Sequence, residues 1–275
     1  MTYDRKETVG ENVLYCGNSL KVLPSLGEKF ADHTITDPPY EDALHEAFVD
    51  DKFQRSDGGN AGKSLGFEGI SAIRFPVMEM IANASRGWAL MFNIAEGAGE
   101  WEKAIKAAGA KYDTWCFWRK PDGLPRMNGQ GPARPGEGFS TAWCGKGFRS
   151  WNSGGKRGFY DHPVNPPDRQ KVAGENGKLV AAHPTEKPLS LMREMILDFT
   201  QPGDVILDPF AGIFSTGVAC IQTGRRFIGI ELNPAYFEIG LRRMREAEAK
   251  VKDQPVLFNA PQKSRQTDFG FKEGE

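Results

Sequence analysis

The sequence has few of the features that mark secreted, membrane-spanning or zinc-binding proteins. Its 275 residues include only four cysteines, which are scattered and form no Cys-x-x-Cys pair. A structural zinc site is therefore disfavoured, and reduced thiols in a cytosolic protein are the expectation. No stretch approaches about eighteen consecutive apolar residues, so no membrane span is expected. The amino-terminal stretch up to Asn12 has no apolar core, and no signal peptide is predicted.

The chain also lacks a strong net charge, since its formal charge is −1. That balance by itself argues against a nucleic-acid partner, but the charge is unevenly distributed. Residues 111–171 contain eleven Lys or Arg and five Asp or Glu, so the remainder of the chain is acidic. The basic stretch is interleaved with aromatic residues and glycines, as in surfaces that follow phosphates and stack bases. An ordinary basic face above core aromatics is the alternative.

The hydrophobic pattern predicts an α/β domain. Short apolar runs of strand type alternate with segments of helical spacing. The chain is long enough for one large domain, or for one domain with an added lobe. Residues 145–182 have weak periodicity and much Gly, Pro and Asn, which is typical of a loop-rich lobe. The predicted strands are 12–16, 33–36, 87–92, 112–118, 138–144, 205–208 and 227–231.

A rigid polar turn, Asp37-Pro38-Pro39-Tyr40, ends the predicted strand at 33–36. Two prolines fix φ and cannot continue a sheet ladder, so Asp37 is held at the carboxyl end of its strand, where ligands bind in open α/β sheets. The Asp37 carboxylate and the Pro38 carbonyl suit the two N–H groups of an exocyclic amine, and Tyr40 suits stacking on a base rotated out of a duplex. The alternative is a turn without a function.

A second turn follows the strand 205–208. Asp208 leads into Pro209-Phe210-Ala211-Gly212 and then a helix, which is how a nucleotide-type cofactor site begins in a doubly wound sheet. The next strand ends in Glu231, at about the spacing that brings an acid to a ribose. The turn lacks the G-x-G-x-x-G pattern, so a dinucleotide is disfavoured.

Four motifs occur in one order: D-P-P-Y, H-P-T-E-K-P, D-P-F-A-G and G-I-E-L-N-P. In this order the chain resembles the β class of DNA amino-methyltransferases, over roughly residues 12–245. The resemblance implies a Rossmann-like, doubly wound mixed sheet of about seven strands that binds S-adenosyl-L-methionine. It also implies a catalytic and cofactor-binding domain from 1–120 and 183–250, a target-recognition lobe inserted at 121–182, and a carboxyl-terminal tail from 251–275.

The resemblance also assigns residues to roles. The catalytic set is Asp37, Pro38, Pro39 and Tyr40. Thr185 and Lys187 are expected near the methionine carboxylate of the cofactor, Glu231 at its ribose hydroxyls and Asn18 near its adenine. The full cofactor-binding set is Asn18, Asp37, Thr185, Lys187, Asp208, Phe210, Gly212 and Glu231, and no metal is expected.

Two departures from the family pattern concern the cofactor. Ile213-Phe214 replaces a Ser-Gly pair, so that a bulky ring stands where a glycine usually lets the backbone approach the cofactor. Phe214 then either weakens cofactor binding or points away and packs. Asn18 stands where Asp is common, which keeps a hydrogen-bonding side chain.

The predicted function is methylation of adenine N6 in double-stranded DNA, because an Asp before Pro-Pro usually accompanies adenine in this family. N4-cytosine methylation and a non-catalytic DNA-binding protein of the same fold are the alternatives. A homodimer and a cognate restriction enzyme are left open. The resemblance places such a protein in the cytoplasm, at the nucleoid.

Overall fold

The structure is a computed structural model that describes residues 2–39, 69–123, 125, 130–173, 178–183 and 185–253. The predicted base-stacking residue Tyr40 and the predicted tail beyond residue 253 lie outside the described residues. In the part of the chain that is described, no helix has the length and apolar character needed to cross a membrane.

Nine strands of the described chain form one mixed sheet. It runs in the order β1-β2-β11-β10-β3-β4-β6-β5-β7, and a separate antiparallel ribbon is formed by β8 and β9. The strands are β1 (Arg5–Val9), β2 (Asn12–Cys16), β3 (His33–Thr36), β4 (Trp88–Asn93), β5 (Lys111–Arg119), β6 (Gly136–Trp143), β7 (Phe159–Asp161), β8 (Lys171–Ala173), β9 (Leu179–Ala181), β10 (Val205–Asp208) and β11 (Arg226–Glu231).

Helices cover both faces of the sheet. They are α1 (Ser19–Ser25), α2 (Arg74–Ala84), α3 (Ala98–Ala107), α4 (Leu189–Phe199), α5 (Ser215–Gln222) and α6 (Pro234–Asp253), with single 3₁₀ turns at Ile70–Ala72 and Ala95–Gly97. The side chains of β4 alternate between the two faces of the sheet, and all six residues are buried because helices cover both faces. Leu90 and Phe92 join the core under α4, α5 and α6, whereas Ala89 and Met91 join the core under α2 and α3.

The predicted doubly wound sheet is confirmed, and all seven predicted strands are present. The two further strands, β1 and β7, lie at the edges of the sheet. β1 has the polar sequence RKETV with mostly exposed side chains, and β7 has only three residues. Edge strands bury little apolar surface, so their sequences carry a weak hydrophobic pattern.

Two strands of the main sheet lie within the range predicted for the lobe, 121–182. β6 falls inside the range 121–182, yet it pairs with both β4 and β5 in the middle of the main sheet. β7 also belongs to the main sheet, where it pairs with β5. Within the range 121–182, Gly136–Trp143 and Phe159–Asp161 therefore belong to the main sheet. β6 is buried from Gly138 to Trp143, although it includes the polar residues Ser140 and Thr141.

Five neighbouring strands are parallel, so their carboxyl ends meet at one edge. These are β2, β11, β10, β3 and β4. In this register Glu231 lies beside Cys16 at the end of β2, and Asp208 lies beside Gly229 of β11. Asp37 directly follows β3 at the same edge. The motifs that are dispersed along the sequence are therefore brought together.

Candidate active site

The predicted catalytic turn at Asp37 is joined by a hydrogen bond to the predicted cofactor turn at Asp208. Thr36, the last residue of β3, donates a hydrogen bond from its hydroxyl to Oδ1 of Asp208 over 2.7 Å. Pro38 is buried and Pro39 is half-buried, so the turn is fixed by packing as well as by its proline φ angles. The Asp37 side chain therefore has a defined position relative to the end of β10.

Asp208 shapes the cofactor turn through its own contacts. Its Oδ2 accepts the hydroxyl of Thr216 over 2.6 Å, and Oδ1 also accepts the backbone N–H of Phe210 over 3.1 Å. Burial raises the pKa of Asp208 to about 6, although these hydrogen bonds lower it and favour the ionised form. The predicted cofactor residue Asp208 thus holds β3, the turn and α5 together.

Glu231 and Gly212 form the next part of the site. Oε2 of Glu231 accepts the backbone N–H of Gly212, and Oε1 accepts that of Asn233, both over 2.7 Å. Burial raises the pKa of Glu231 to about 7. Gly212 has φ +53°, and a Cβ there would stand 3.5 Å from Nε2 of His183. The Glu231 carboxylate, which is predicted to bind the ribose, therefore contacts the turn at Gly212, a residue without a side chain.

Phe214 points away from this turn. Its ring is completely buried and contacts the rings of Phe227 and Phe237, with centroids 6.1 Å and 5.6 Å away. Gly240 provides the necessary space, because a Cβ there would approach the Phe214 ring to 2.6 Å. The backbone of Phe214 keeps the left-handed conformation, with φ +60°. Of the two outcomes considered from the sequence, inward packing is the one observed.

Phe214 therefore allows a test with two small substitutions. Phe214→Ala should lower the free energy of unfolding by about 3–5 kcal/mol, because it removes a buried ring. Phe214→Gly should be less destabilising than Phe214→Ala by about 1 kcal/mol, because only glycine adopts a left-handed backbone without strain. Urea unfolding measures both variants. A larger loss for the glycine variant, as in an ordinary helix, would contradict the proposed strain.

Asn18 lies beside the same turn. Its Oδ1 caps α1 by accepting the N–H of Leu20 over 2.9 Å, and the hydroxyl of Ser19 bonds to the carbonyl of Pro209. The N–H of Gly17 donates to the carbonyl of Glu231 over 2.9 Å. Asn18, which is predicted to lie near the adenine, thus stands at the same sheet edge as Glu231, and its side chain caps α1.

His183 lies beside Gly212, and Lys187 contacts Asp37. Thr185 is exposed and donates its N–H to Nδ1 of His183 over 3.3 Å. Burial lowers the pKa of His183 to about 4, so this ring is neutral, and it packs against Tyr236. Lys187 is buried, with Nζ 2.5 Å from Oδ2 of Asp37. The residue expected at the methionine carboxylate therefore contacts the carboxylate that is predicted to be catalytic.

Three charged residues of the site were missed by the sequence analysis. Glu186 forms a buried ion pair of 2.8 Å with Arg243 of α6. Arg243 also donates to the carbonyl of Ile213 over 2.6 Å. Glu137 of β6 lies 3.5 Å from Nζ of Lys187. Glu186 stands inside H-P-T-E-K-P, so the motif contained one signal, whereas nothing local marks Glu137 or Arg243.

With this geometry established, the chain can be compared with known proteins. A family model described as DNA methylase, N6_N4_Mtase, matches residues 31–242. The chain belongs to this family of DNA methylases.

The curated relatives of this chain include a DNA adenine methyltransferase. It is 42% identical over 104 residues to the DNA adenine methyltransferase YhdJ of Escherichia coli, covering 34% of this chain and 35% of that protein. It is 35% identical over 143 residues to the type II methyltransferase M.Cfr9I of Citrobacter freundii, covering 49% of this chain and 44% of the relative. The matched region spans less than half of either relative. A 26% identical match to M.HpaI of Haemophilus parainfluenzae covers 84% of this chain and 73% of the relative.

Solved methyltransferases share the fold of this DNA methylase. The M1.HpyAVI–SAM complex superposes with a TM-score of 0.61 at 21% identity, over 84% of this chain and 98% of that one. The cytosine-N4-specific PvuII DNA methyltransferase superposes with a TM-score of 0.62 at 17% identity, over 91% of this chain and 94% of that one. These matches confirm the predicted methyltransferase fold.

The basic, aromatic stretch at residues 111–171 contains both core aromatics and more exposed aromatic rings. Among the described residues of this stretch, five basic side chains form ion pairs within the protein. Four of its aromatic side chains are buried in the core: Trp118, Phe139, Trp143 and Tyr160. Trp115, Phe117 and Phe159 instead form a row of tilted rings, of which Phe159 is about half exposed. The alternative of core aromatics thus holds for part of the stretch. The paired basic residues are Arg119, Lys120, Arg134, Arg149 and Lys156.

Proposed function

We propose that the protein transfers a methyl group from S-adenosyl-L-methionine to an exocyclic amine of DNA, with adenine N6 as the target. The single observation that carries the proposal is the Thr36–Asp208 hydrogen bond, which fixes the amine-binding turn against the cofactor turn at one sheet edge. Family membership supports the reaction, and a turn that begins with Asp37 favours adenine within the resemblance.

The residues present fit the cofactor. The only bulky departure in the cofactor turn, Phe214, is turned into the core, and Gly212 exposes backbone rather than a side chain. Glu231 presents a carboxylate, which suits a pair of ribose hydroxyls. S-adenosyl-L-methionine would supply an electrophilic methyl group. The other residues proposed to line the cofactor are Asn18, Asp37, Thr185, Asp208 and Phe210.

The target amine would be held by the turn after β3. An aromatic amine is a weak nucleophile because its lone pair is delocalised into the ring. Acceptance of its two N–H bonds by the Asp37 carboxylate and the Pro38 carbonyl would localise that lone pair on nitrogen. The catalytic contribution is therefore positioning and electrostatic stabilisation. Tyr40 would stack on the flipped base.

The proposal is tested by incubating the purified protein with labelled S-adenosyl-L-methionine and unmethylated duplex DNA of mixed sequence. Digestion of the product to nucleosides should yield labelled N6-methyladenine. Labelled N4-methylcytosine would instead establish the alternative target, for which the PvuII enzyme is a precedent of the fold. Cofactor binding without any transfer to DNA would overturn the proposal.

The non-catalytic alternative was motivated by the Ile213-Phe214 replacement. Because the Phe214 ring is fully buried, this replacement does not place a ring in the cofactor turn. Calorimetric titration of S-adenosyl-L-methionine into the protein decides between the readings. Micromolar binding excludes a protein that has lost its cofactor site.

DNA is the proposed partner, and residues 121–182 are the proposed target-recognition region. In that region Phe148 is 93% exposed, and Lys146 lies nearby in sequence. An exposed aromatic ring beside a basic residue suits contact with nucleic acid. Loss of DNA affinity on Phe148→Ser, measured by fluorescence anisotropy, would support the assignment. Unchanged affinity would place DNA contact elsewhere.

Cofactor affinity should depend on pH through Glu231. Burial raises the pKa of Glu231 to about 7, so its carboxylate is ionised at pH 8 and mostly protonated at pH 6. The ionised form accepts hydroxyl hydrogen bonds, so affinity should fall as pH drops through 7, by up to about tenfold per pH unit. Calorimetry with S-adenosylhomocysteine between pH 6 and 8.5 measures this.

Two variants control the pH experiment. Glu231→Gln should bind weakly and with little pH dependence across 7, whereas the exposed Glu238→Gln on α6 should behave as the wild type. Asp208, with a pKa of about 6, titrates at the lower end of this window and should affect both variants equally. Wild-type affinity that is flat from pH 6 to 8.5 would remove Glu231 from the cofactor site.

A further inference from the structure

A buried lysine stands between two carboxylates at the catalytic turn. Nζ of Lys187 is 2.5 Å from Oδ2 of Asp37 and 3.5 Å from Oε2 of Glu137, and the side chain is only 6% exposed. We propose that Lys187 is a positioning residue for the Asp37 carboxylate, and that Glu137 holds Lys187 in place and balances its charge. This inference rests on the methyl-transfer function proposed above.

The surroundings of Lys187 allow little freedom. Burial by itself would lower its pKa, but the charges of Asp37 and Glu137 raise the pKa above its usual value. The ammonium also lies 4.9 Å from the centre of the Phe92 ring. A desolvated ammonium is tolerated only where well-placed acceptors surround it, and here two carboxylates do so. Lys187 is therefore a fixed cation rather than a flexible surface charge.

This arrangement suits the chemistry at Asp37. A carboxylate can accept about four hydrogen bonds, so an ammonium on Oδ2 fixes its orientation and leaves capacity for an amine N–H. As the amine nitrogen forms its bond to the methyl carbon and the sulfur–methyl bond breaks, the nitrogen becomes positive until it releases a proton to water. An uncompensated ammonium nearby would oppose that charge. Glu137 offsets it.

The neighbouring charged groups come from several elements. Glu137 also pairs with Lys120, which follows β5 at the outer end of the cluster. Asp208 at the end of β10 interacts electrostatically with Asp37, and its pKa is about 6. His183 carries no charge above its pKa of about 4. Near neutral pH, Lys187 is thus the cation that contacts Asp37 among the residues the structure describes.

The positioning role and the methionine-carboxylate role of Lys187 predict different results for Lys187→Met. If Lys187 positions Asp37, kcat should fall about 100-fold or more, while the KM for DNA and the affinity for S-adenosylhomocysteine should change by less than about threefold. If Lys187 chiefly binds the cofactor carboxylate, the affinity for S-adenosylhomocysteine should collapse. A collapse without a change in kcat at saturating cofactor would overturn the proposal.

The pH profile of kcat provides a signature that a merely structural role would not give. In Lys187→Met the acid limb should move to higher pH, because two carboxylates lose their shared cation and bind protons more readily. In Glu137→Gln, which preserves side-chain shape, the limb should move to lower pH. The double variant should lie between the two. Shifts in the same direction would contradict the proposed charge arrangement.

A structural control is available at the opposite edge of the sheet. Lys29 donates hydrogen bonds to the carbonyls of Ala82 and Ser85 over 2.8 Å and 2.7 Å, and it forms no ion pair with a carboxylate of the described residues. Lys29→Met should lower the melting temperature without moving the acid limb. A shift in this variant would show that the limb reports general loosening of the fold.

Thermal unfolding tests the charge cluster even if the wild type methylates no DNA. The stability that Lys187 gives to ionised carboxylates is present above their unfolded pKa and is lost as pH falls. The gap in melting temperature between wild type and Lys187→Met should therefore narrow from pH 8 to pH 4. A gap that stays constant overturns the positioning proposal, whereas a wild type without methyl transfer overturns only the function.

Discussion

Replacement of Asp37 by asparagine should abolish methyl transfer while the protein remains folded. The amide keeps the shape of the carboxylate but loses its charge and turns one acceptor into a donor. The amine N–H then loses a charged acceptor, which is worth about 10²–10³ in kcat for comparable electrostatic groups. Single-turnover methylation at saturating S-adenosyl-L-methionine measures the effect. S-adenosylhomocysteine affinity should remain within about threefold, because this carboxylate acts mainly on the target amine.

The matched control for this prediction lies at the other end of the same segment. Asp32 immediately precedes β3, where it accepts the backbone N–H of Val205 over 2.9 Å and pairs with Arg86 over 3.0 Å. Asp32→Asn should reduce stability slightly and leave kcat near the wild-type value. If Asp37→Asn instead loses cofactor affinity and retains kcat at saturation, Asp37 chiefly holds the amino group of the cofactor.

The prediction for Asp37 was accessible from sequence because its motif is local. Asp37 precedes two prolines and follows an apolar strand, so its place at a sheet edge follows from backbone chemistry alone. The same holds for Glu231, which ends an apolar strand at the expected distance from Asp208. Central strands were predictable for the related reason that burial on both faces requires continuous apolar residues.

Contacts between distant segments were not predictable in this way. Lys187 and Asp37 are 150 positions apart, and their contact arises only in the tertiary fold, in which Asp37 follows β3 and Lys187 precedes α4. The direction of Phe214 was equally hidden, because it depends on the space left by Gly240 in another helix. The sequence indicated that position 214 was unusual, but the neighbours that decide the outcome are set by the tertiary fold.

The buried pair of Glu186 and Arg243 leads to a large expected loss of stability. Both side chains are 4% exposed, and their 2.8 Å contact joins the segment before α4 to α6. Arg243→Met would leave a buried carboxylate without its cation and remove the donor to the carbonyl of Ile213. The expected loss is about 3–5 kcal/mol in the free energy of unfolding. For a chain of this size, that corresponds to a fall in melting temperature on the order of 10 °C.

Two further variants separate the loss of the pair from the loss of charge. The neighbouring Arg242 forms an exposed pair with Glu246 at 3.9 Å, so Arg242→Met should cost less than about 1 kcal/mol. The double variant Arg243→Met, Glu186→Leu should recover much of the loss, because replacing both members of a buried pair by apolar residues is often nearly neutral. Urea unfolding of all three variants measures this pattern.

The same pair should also affect the cofactor, because Arg243 anchors Ile213 directly after Gly212. Arg243→Met should weaken S-adenosylhomocysteine binding even under conditions where the variant is fully folded, and the double variant should recover stability without recovering affinity. The donor to the Ile213 carbonyl is absent from both, so the turn remains unanchored in each. Affinity that returns together with stability would show that the pair supports only the fold, and that the cofactor turn keeps its shape without Arg243.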